Sequence, residues 1–488
     1  MEPVLSRDPR TGESRGQVAV EADAAAVDAA VRGARASLDA LAGRPGRAAL
    51  LRAWAEAVEA RAAELIAAAD AETALGVPRL TGELARIAYQ FRFFADIVED
   101  GAFLGVVIDQ PDPTAAPPRP ELRRWKVPIG PVAVFAASNF PFAFSVPGGD
   151  TASAIAAGCP VVVKAHPDHP ATSELVTQTL RAAAEKAGLP ADVLTVLHGY
   201  QAGVDLVRHP LTAAVGFTGS IPGGRALFDL AAARPVPIPF YGELGSVNPV
   251  LVTEQAAAAR ADEIAAGLVG SYTLGQGQFC TKPGLVLVPA GAAGDALTGA
   301  AAKTAAEAAP GALLDARMRE HFLAGFADRA AAPGVRTLAA AAAAPTADAP
   351  QAVRAGLLEV DAADLGGDLL EECFGPLTVL VRYRDEADAE DVLSRLGGNL
   401  TATLHAEAAE PGAAGWLTRL SRVAGRVVFG GWPTGVAVAP AMTHGGPYPA
   451  TTSPTTSVGG AAIERWLRPV TFQTVPPELL PPELAGPA

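Results

Sequence analysis

The chain has 488 residues, half of them apolar, which is enough for two or three domains around a large buried core. It carries 52 acidic and 38 basic side chains, and the net charge of -14 argues against a nucleic-acid backbone as the main partner. Three cysteines (Cys159, Cys280 and Cys373) cannot build a disulfide framework and are typical of a reducing compartment. The polar residues 1–16 lack the apolar core of a signal peptide, so we expect a cytoplasmic protein.

The N-terminal part predicts helices. Residues 21–70 have the spacing of two amphipathic helices with a break at 43–46, and residues 81–98 predict another helix. The proline-dense stretch 111–120 predicts a linker or an extended arm. One uncharged run, 127–149, is long enough for a membrane helix, but four prolines and Asn139 interrupt it. We therefore expect a buried strand and loop there, and no membrane partner.

The pattern then changes to alternating strands and helices, which predicts a parallel, doubly wound sheet. Expected strands are 132–136, 161–164, 193–197, 213–217 and, weakened by two prolines, 236–240, with helices at 173–187 and 223–233. Such sheets bind ligands at the carboxyl ends of their strands. Residues 329–350 predict a surface segment or weak helix without chemical interest, and residues 476–488 an extended tail.

Three side chains are candidates for chemistry, each with an ordinary structural alternative. Cys280 follows a glycine-rich stretch and is either a nucleophile or a buried, inert thiol. Glu243 follows an apolar stretch and is either a desolvated general base with a raised pKa or a solvated loop residue. Asn139 lies between two apolar strings and is either an oxyanion donor or a turn residue.

The segment Gly219–Gly224 joins a predicted strand to a predicted helix. Its backbone N–H groups could receive a pyrophosphate, although the spacing is not G-x-G-x-x-G and an ordinary turn is equally compatible. Two other patterns are dismissed. The G-x-S-x-G match at 12–16 lies in a polar segment instead of a strand-to-helix turn, and the histidines at 166–169 lack a third metal ligand. We expect no metal site.

The order of these signals resembles that of the aldehyde dehydrogenase superfamily along nearly the whole chain. The resemblance rests on seven motifs: Ile129-Gly130-Pro131, Ser138-Asn139-Phe140-Pro141, Val163-Lys164, Phe217-Thr218-Gly219-Ser220, Glu243-Leu244-Gly245, Gly277-Gln278-Phe279-Cys280 and Glu371-Glu372-Cys373-Phe374-Gly375-Pro376. It implies an α/β fold with three parts: a Rossmann-like cofactor domain (1–110 and 128–244), an α/β catalytic domain (245–450) and a small β oligomerisation arm (111–127 and 468–488). It also implies a homodimer or homotetramer.

The resemblance further implies a mechanism. Cys280 is expected to attack the aldehyde carbon, Asn139 to hold the oxyanion, and Glu243 to activate the water that hydrolyses the resulting thioester. Residues expected to bind the cofactor are Lys164, His166, Phe217, Gly219, Ser220, Gly224, Leu244, Glu372 and Phe374.

Cofactor choice depends on residue 167. NAD-specific members of the superfamily place a glutamate three residues after the lysine, whereas this chain has Pro167. A 2′-phosphate is therefore tolerated, with His166 expected to help, and we expect NADP, with NAD as the alternative. No arginine lies between residues 198 and 207 to clamp that phosphate strongly.

Five segments are similar to the α-ketoglutaric semialdehyde dehydrogenase branch: His166–Pro170, Glu243–Pro249, Gln278–Thr281, Phe429–Val436 and His444–Pro447. The expected substrate is therefore α-ketoglutaric semialdehyde (2,5-dioxopentanoate), oxidised to 2-oxoglutarate. NADP-dependent fatty aldehyde dehydrogenases share many of these residues, so medium or long aliphatic aldehydes are the alternative. Lys282 and Gly430 depart from the branch pattern.

The expected substrate pocket consists of Phe142, Phe279, Lys282 and His444, with Lys282 meeting the distal carboxylate. A more remote alternative is a cysteine-dependent ester or thioester hydrolase using Cys280 and Glu243. A catalytically silent homologue is disfavoured because Asn139, Glu243 and Cys280 occur together.

Overall fold

The computed structural model describes residues 2–485. Residues 1 and 486–488, which the expected domain boundaries include, lie outside this range. The N-terminal elements are β1 (Pro3–Arg7), β2 (Ser14–Val20), α1 (Ala24–Ala36), α2 (Arg44–Ala60), α3 (Ala62–Thr73), α4 (Val77–Asp100), β3 (Val107–Asp109) and β4 (Leu122–Pro128). Residues 21–70 thus contain three α-helices instead of the two predicted. The expected break at 43–46 is the start of α2, because Pro45 lies in its first turn, where a missing N–H costs no hydrogen bond.

Five parallel strands form the first large sheet, with strand order β7-β6-β5-β8-β9. Its elements are β5 (Val132–Phe135), α5 (Gly149–Ala157), β6 (Val161–Lys164), α6 (Pro170–Lys186), β7 (Leu194–Leu197), α7 (Tyr200–Arg208), β8 (Ala214–Thr218), α8 (Ile221–Ala232) and β9 (Phe240–Glu243). The predicted doubly wound topology is confirmed. The predicted strand at 236–240 is displaced to β9, because Pro237 and Pro239 have no N–H to donate to a sheet.

This topology determines where a ligand binds. After β7 the chain returns to the other side of β5 to form β8, so the strand order reverses at β5. Ligands of open α/β sheets bind beyond the carboxyl ends of the strands at such a reversal. Lys164, Thr218 and Glu243 are the last residues of β6, β8 and β9, and therefore lie at this edge.

Seven strands form the second large sheet, with strand order β12-β13-β14-β11-β10-β15-β16, all parallel except β12. Its elements are β10 (Val250–Val252), α9 (Glu254–Thr273), β11 (Leu285–Pro289), α10 (Ala292–Glu307), α11 (Ala316–Ala330), β12 (Arg336–Ala339), β13 (Gly356–Asp361), β14 (Leu377–Tyr383), α12 (Glu386–Arg395), β15 (Asn399–His405), α13 (Ala413–Leu420) and β16 (Ala424–Phe429). The prediction for 329–350 is wrong in part, since this segment contains β12 and the buried Arg329.

A third sheet has three antiparallel strands, β3, β4 and β17 (Leu467–Gln473), with β4 in the centre. The chain continues to α14 (Pro482–Ala485), so the tail predicted as extended contains a short helix. Within the described part of the chain, no helix has the length and hydropathy of a bilayer-spanning segment. The mixed α/β architecture agrees with the expected fold class.

Candidate active site

Three titratable side chains from distant parts of the sequence meet at the edge of the first sheet. Glu243 ends β9, Cys280 lies in the loop between α9 and β11, and His444 lies in the loop after β16. His444 Nε2 lies 3.5 Å from Cys280 Sγ and 2.7 Å from Glu243 Oε1. A thiol and a carboxylate that both lie within reach of one imidazole are the groups that nucleophilic and general-base catalysis require.

Cys280 is a thiol in the free protein. Burial raises its pKa well above the ordinary value, and the negative charges of Glu243 and Glu372 raise it further. A thiolate is the reactive form of cysteine. The proton must therefore be taken by a neighbouring group during the reaction, and His444 and Glu243 are the groups in reach.

Glu243 differs from the expectation. Burial raises the pKa of Glu243. Three neighbours lower it by more than burial raises it: the His444 imidazole, the Ser457 hydroxyl, which donates a hydrogen bond, and the Arg465 guanidinium. The pKa is lowered overall, so the expected upward shift is wrong. Glu243 is a buried carboxylate at neutral pH, ready to accept a proton.

Asn139 lies beside the loop that carries Cys280. Its Nδ2 donates to the backbone oxygen of Gln278 at 2.9 Å, and its own backbone oxygen accepts from Arg79 at 2.6 Å. The side chain is 7% exposed. This geometry directs an amide N–H toward the backbone of Gln278, two residues before Cys280.

The cysteine loop is held by two further contacts. Asn248 Nδ2 donates to the backbone oxygens of Cys280 and Lys282 at 2.8 and 2.9 Å. Gly277 has a φ of +67°, and a Cβ built there would lie 2.2 Å from the backbone oxygen of Gly375. Asn248 was not a candidate from sequence. Its φ of +56° is a conformation that asparagine tolerates better than most residues, but the sequence carries no sign of it.

A cavity of about 540 Å³ extends from this cluster along the carboxyl ends of the strands. Its lining residues are Ala137, Ser138, Asn139, His166, Thr218, Gly219, Ser220, Pro222, Glu243, Leu244, Gly245, Cys280, Arg317, Met318, His321, Gly325, Arg329, Glu372, Cys373 and Phe374. The volume is within the range of small-molecule sites.

Six of the nine expected cofactor residues line this cavity: His166, Gly219, Ser220, Leu244, Glu372 and Phe374. Ser220 caps α8, accepting a hydrogen bond from the Gly223 N–H, so a helix N-terminus opens onto the cavity. The remaining three lie beside it. Lys164 ends β6, the Phe217 ring packs on Phe135, and a Cβ at Gly224 would lie 2.2 Å from Leu244.

Glu372 is a second carboxylate of the cavity, half-buried beside the buried Glu243. Burial raises its pKa to about 7, while Lys282 and a backbone hydrogen bond from Ser246 oppose that rise. Lys282 itself is 2% exposed, and its Nζ donates to the backbone oxygens of Cys373 and Leu377 at 2.9 and 2.7 Å. Lys282 therefore holds the segment that follows Glu372 and does not line the cavity.

The expected substrate pocket is corrected by these positions. Lys282 is committed to backbone oxygens, and Phe142 is fully buried in the core behind the site, so neither is placed to meet a substrate. Phe279 packs edge-on against Phe140 with ring centres 5.2 Å apart. His444 is part of the Cys280–Glu243 cluster.

Helix α11 contributes residues that the sequence did not reveal. Arg317, His321 and Arg329 all line the cavity from this helix. They are far in sequence from every motif considered, and Arg329 begins the segment expected to have no chemical interest. An amphipathic helix with scattered basic residues gives no indication of which of them face a ligand.

The fold and this site together define an NAD(P)-dependent oxidoreductase that acts on aldehydes. The model of the aldehyde dehydrogenase family matches residues 2–446, and the chain belongs to that family. It is 48% identical over 489 residues to α-ketoglutaric semialdehyde dehydrogenase 2 of Azospirillum brasilense, covering 97% of this chain and 92% of that protein. It is 43% identical over 433 residues to the α-ketoglutaric semialdehyde dehydrogenase of Acinetobacter baylyi, covering 87% and 81%.

A solved structure with the same fold is that of PnpE in complex with nicotinamide adenine dinucleotide. Its TM-score is 0.84 at 22% identity, over 98% of this chain and 96% of that one. The expected activity, aldehyde oxidation with a nicotinamide cofactor, is confirmed by family membership. The hydrolase alternative is thereby disfavoured.

Proposed function

We propose that this enzyme oxidises α-ketoglutaric semialdehyde to 2-oxoglutarate, with Cys280, Glu243 and Asn139 as its catalytic residues. The observation that carries the chemistry is the position of His444 Nε2 between Cys280 Sγ and Glu243 Oε1, at 3.5 and 2.7 Å. The substrate assignment is supported by two relatives at 48% and 43% identity that bear the name of this activity.

The reaction begins with the thiol proton. His444 Nε2, 3.5 Å from Sγ, accepts that proton, and the adjacent Glu243 carboxylate stabilises the imidazolium. The Cys280 thiolate then attacks the aldehyde carbon. The Asn139 amide and the Cys280 backbone N–H hold the oxyanion, and each such donor typically contributes about 3 kcal/mol.

The second half of the reaction releases the acid. A nicotinamide cofactor, held in the cavity by Lys164, Ser220 and Glu372, would supply the hydride acceptor that turns the thiohemiacetal on Cys280 into a thioester. Glu243, a carboxylate because its pKa is lowered, takes a proton from water. The hydroxide attacks the thioester carbon, the C–S bond breaks, and the carboxylic acid departs.

The residues around the cavity suit the cofactor chemically. Ser220 and the N-terminus of α8 offer N–H groups and a partial positive charge for a pyrophosphate. Glu372 and Lys164, both half-buried, supply an acceptor and a donor for ribose hydroxyls, and Phe374 an apolar contact for the nicotinamide side.

We propose NADP as the preferred cofactor. Pro167 leaves no carboxylate at a position where one would repel a 2′-phosphate, and both His166 and Arg317 line the cavity. Burial lowers the pKa of His166 well below its ordinary value, so Arg317 supplies the permanent charge. Catalytic efficiencies measured with NADP and NAD in parallel test this, and a large preference for NAD would overturn it.

We also propose that the chain divides into the cofactor domain, catalytic domain and oligomerisation arm predicted from the sequence, and that it forms a homodimer or homotetramer. The three-stranded sheet of β3, β4 and β17 is separate from both large sheets and has two open edges, β3 and β17, which suits an oligomerisation arm. Light scattering of the purified enzyme, with and without a truncation after residue 466, tests the role of the arm. A truncated chain that forms the same oligomer as the full-length enzyme would contradict that role.

The substrate assignment is tested with a panel of aldehydes. We expect higher catalytic efficiency with α-ketoglutaric semialdehyde than with hexanal. Equal efficiencies would favour the second candidate, an NADP-dependent dehydrogenase of aliphatic aldehydes. The aromatic rings of Phe140, Phe144 and Phe279 beside Cys280 are the observation in favour of that candidate.

A further inference from the structure

Helix α4 brings two arginines to the loop that carries Cys280. Arg79 and Arg86 are seven residues apart, two helical turns, and so project from the same face. Arg79 donates to the backbone oxygen of Asn139, and its guanidinium carbon lies 4.5 Å from the ring centre of Phe279. It therefore contacts both an expected oxyanion donor and the residue immediately before the nucleophile.

A wall of aromatic rings runs beside these arginines, with neighbouring ring centres 5.2 to 5.9 Å apart, in the order Phe279, Phe140, Phe144 and His444. Its two ends meet Cys280: one ring precedes it in the chain, and the other lies 3.5 Å from its sulfur. Arg86 covers the middle of the wall, 5.5 Å from the ring centre of Phe144. None of the three phenylalanines or two arginines lines the cofactor cavity.

The two guanidinium groups have unused donors. Arg79 Nε and Nη1 and Arg86 Nη2 are buried without a hydrogen-bond partner anywhere in residues 2–485. Burial also lowers the pKa of both side chains. Buried N–H groups are nearly always paired, so unpaired donors on two neighbouring cations indicate a missing acceptor.

The carboxylate of Glu83 acts electrostatically on both arginines, and that of Glu243 acts on Arg86. Glu83 lies between the two arginines on α4, but its Oε1 already accepts the backbone N–H groups of Phe142 and Ala143 at 2.8 Å. Burial raises the pKa of Glu83, which disfavours its charged form, and its Oε2 has no hydrogen-bond partner within residues 2–485. Arg79 and Arg86 thus keep buried N–H groups that no acidic side chain in residues 2–485 accepts from.

We infer that Arg79 and Arg86 bind the distal carboxylate of the substrate and make the enzyme selective for short aldehydes that carry one; this inference rests on the proposed function. A guanidinium presents parallel N–H groups that match the two oxygens of a carboxylate. The aromatic wall covers the methylene chain between the carboxylate and the aldehyde carbon at Cys280.

The other buried cations near the site are engaged elsewhere. Lys282 donates to two backbone oxygens. Both Nη groups of Arg426 donate to the backbone oxygens of Pro433 and Gly435, which leaves only its Nε unpaired. Gly275, with a φ of +56°, leaves room for Arg79, since a Cβ there would lie 2.2 Å from Nη1. The loop that leads to Cys280 is thus shaped around Arg79.

The test compares 2,5-dioxopentanoate with pentanal, an uncharged aldehyde of the same chain length, in Arg79→Gln and Arg86→Gln. We expect the ratio of kcat/KM for the charged over the uncharged aldehyde to fall about tenfold or more, mainly through KM. Arg79→Lys keeps the charge but loses the planar guanidinium group. Its kcat/KM ratio should therefore lie between those of wild type and Arg79→Gln. Arg92→Gln is the matched control, because Arg92 lies on the same helix but pairs with Glu59 at the surface; it should leave the ratio unchanged.

A second readout does not depend on turnover. The product 2-oxoglutarate should bind the cofactor-loaded wild type, and Arg79→Gln should weaken that binding by a similar factor in calorimetry. Wild-type enzyme without a preference for 2,5-dioxopentanoate over pentanal would refute the proposed function. Two other outcomes would refute only the role of the arginines. One is a wild-type preference that both glutamine variants retain, and the other is an equal loss of kcat/KM on both aldehydes.

Discussion

His444 Nε2 lies 2.7 Å from Oε1 of Glu243, and both side chains are almost completely buried. The two atoms are at ion-pair distance, but their alignment is not that of a hydrogen bond. The contact favours the ionised form of Glu243. It explains why Glu243 has a lowered pKa even though burial alone would raise it.

The first prediction concerns His444. In His444→Gln the imidazole that lowers the pKa of Glu243 is lost, and burial then raises that pKa. Because thioester hydrolysis needs the carboxylate, the acidic limb of the kcat profile should move to higher pH, and kcat at pH 7 should fall roughly tenfold to a hundredfold. Steady-state rates between pH 5 and 9 measure this. His209→Gln removes an imidazole that pairs with Asp28 far from the site, and should leave the profile in place.

An acidic limb at the same pH in His444→Gln and wild type would mean that His444 does not control Glu243. The same contact has a consequence for folding. A carboxyl whose pKa is lower in the folded state adds stability above its unfolded pKa, and that contribution is lost as the pH falls through the folded value. Wild type should therefore lose more stability than the variant on acidification.

A second prediction concerns Glu372, whose pKa burial raises to about 7. If the ionised form accepts the ribose hydroxyls, cofactor affinity should weaken about tenfold between pH 8 and pH 6, where roughly a tenth of the groups remain ionised. Glu372→Gln should bind the cofactor more weakly at pH 8 and lose this pH dependence. Fluorescence titrations with NADP measure it, with the exposed neighbour Glu371→Gln as control.

The stability effect of Glu372 has the opposite sign to that of Glu243. Between the unfolded pKa of about 4.3 and the folded value, the native state binds more protons than the unfolded chain. Its contribution to the free energy of unfolding therefore falls as the pH rises toward 7. Cofactor-free Glu372→Gln should be more stable than wild type above pH 7, and an unchanged melting temperature there would contradict the raised pKa.

A third prediction isolates the nucleophile. Cys280→Ala should lower aldehyde oxidation to below roughly a thousandth of the wild-type rate while leaving cofactor affinity within about twofold. The matched variant is Cys159→Ala, because Cys159 is fully buried against the Trp466 backbone and far along the chain from the cavity. Appreciable oxidation by Cys280→Ala, measured as reduced cofactor at 340 nm, would overturn the covalent mechanism.

The sequence predicted the parallel sheet and the residues at its carboxyl edge because valine-rich strands and strand-to-helix turns are local patterns. β5 and β6 were found within one residue of their ends, and Glu243 and Cys280 were found through the motifs around them. The exceptions in the fold are also local. Prolines at 237 and 239 displaced β9, and Pro45 opened a helix instead of ending one.

The side-chain environment could not be read from sequence. Lys282 was expected near a substrate carboxylate because it follows Cys280 closely, yet its amino group turns to backbone oxygens nearly a hundred residues later. The pKa of Glu243 was predicted in the wrong direction because His444 and Ser457, about 200 residues away, outweigh burial. Such pairings depend on tertiary contacts that no local pattern specifies.

The fourth prediction tests how the cysteine loop is held. In Gly277→Ala the new methyl group would lie 2.2 Å from the backbone oxygen of Gly375, and the φ of +67° is unfavourable for alanine. The loops carrying Cys280 and Glu372 must move apart, so kcat should fall about a hundredfold, as expected for a displacement of about 1 Å at a reacting atom. Cofactor affinity should fall as well, because Glu372 belongs to the displaced segment.

Gly299→Ala is the control, since nothing lies within 4 Å of a Cβ at this exposed position of helix α10. That variant should keep full activity and gain up to about 1 kcal/mol of stability, because alanine favours a helix more than glycine does. Initial rates and thermal unfolding of both variants are the measurements. Wild-type kcat in Gly277→Ala would mean that the contact between the two loops does not position Cys280.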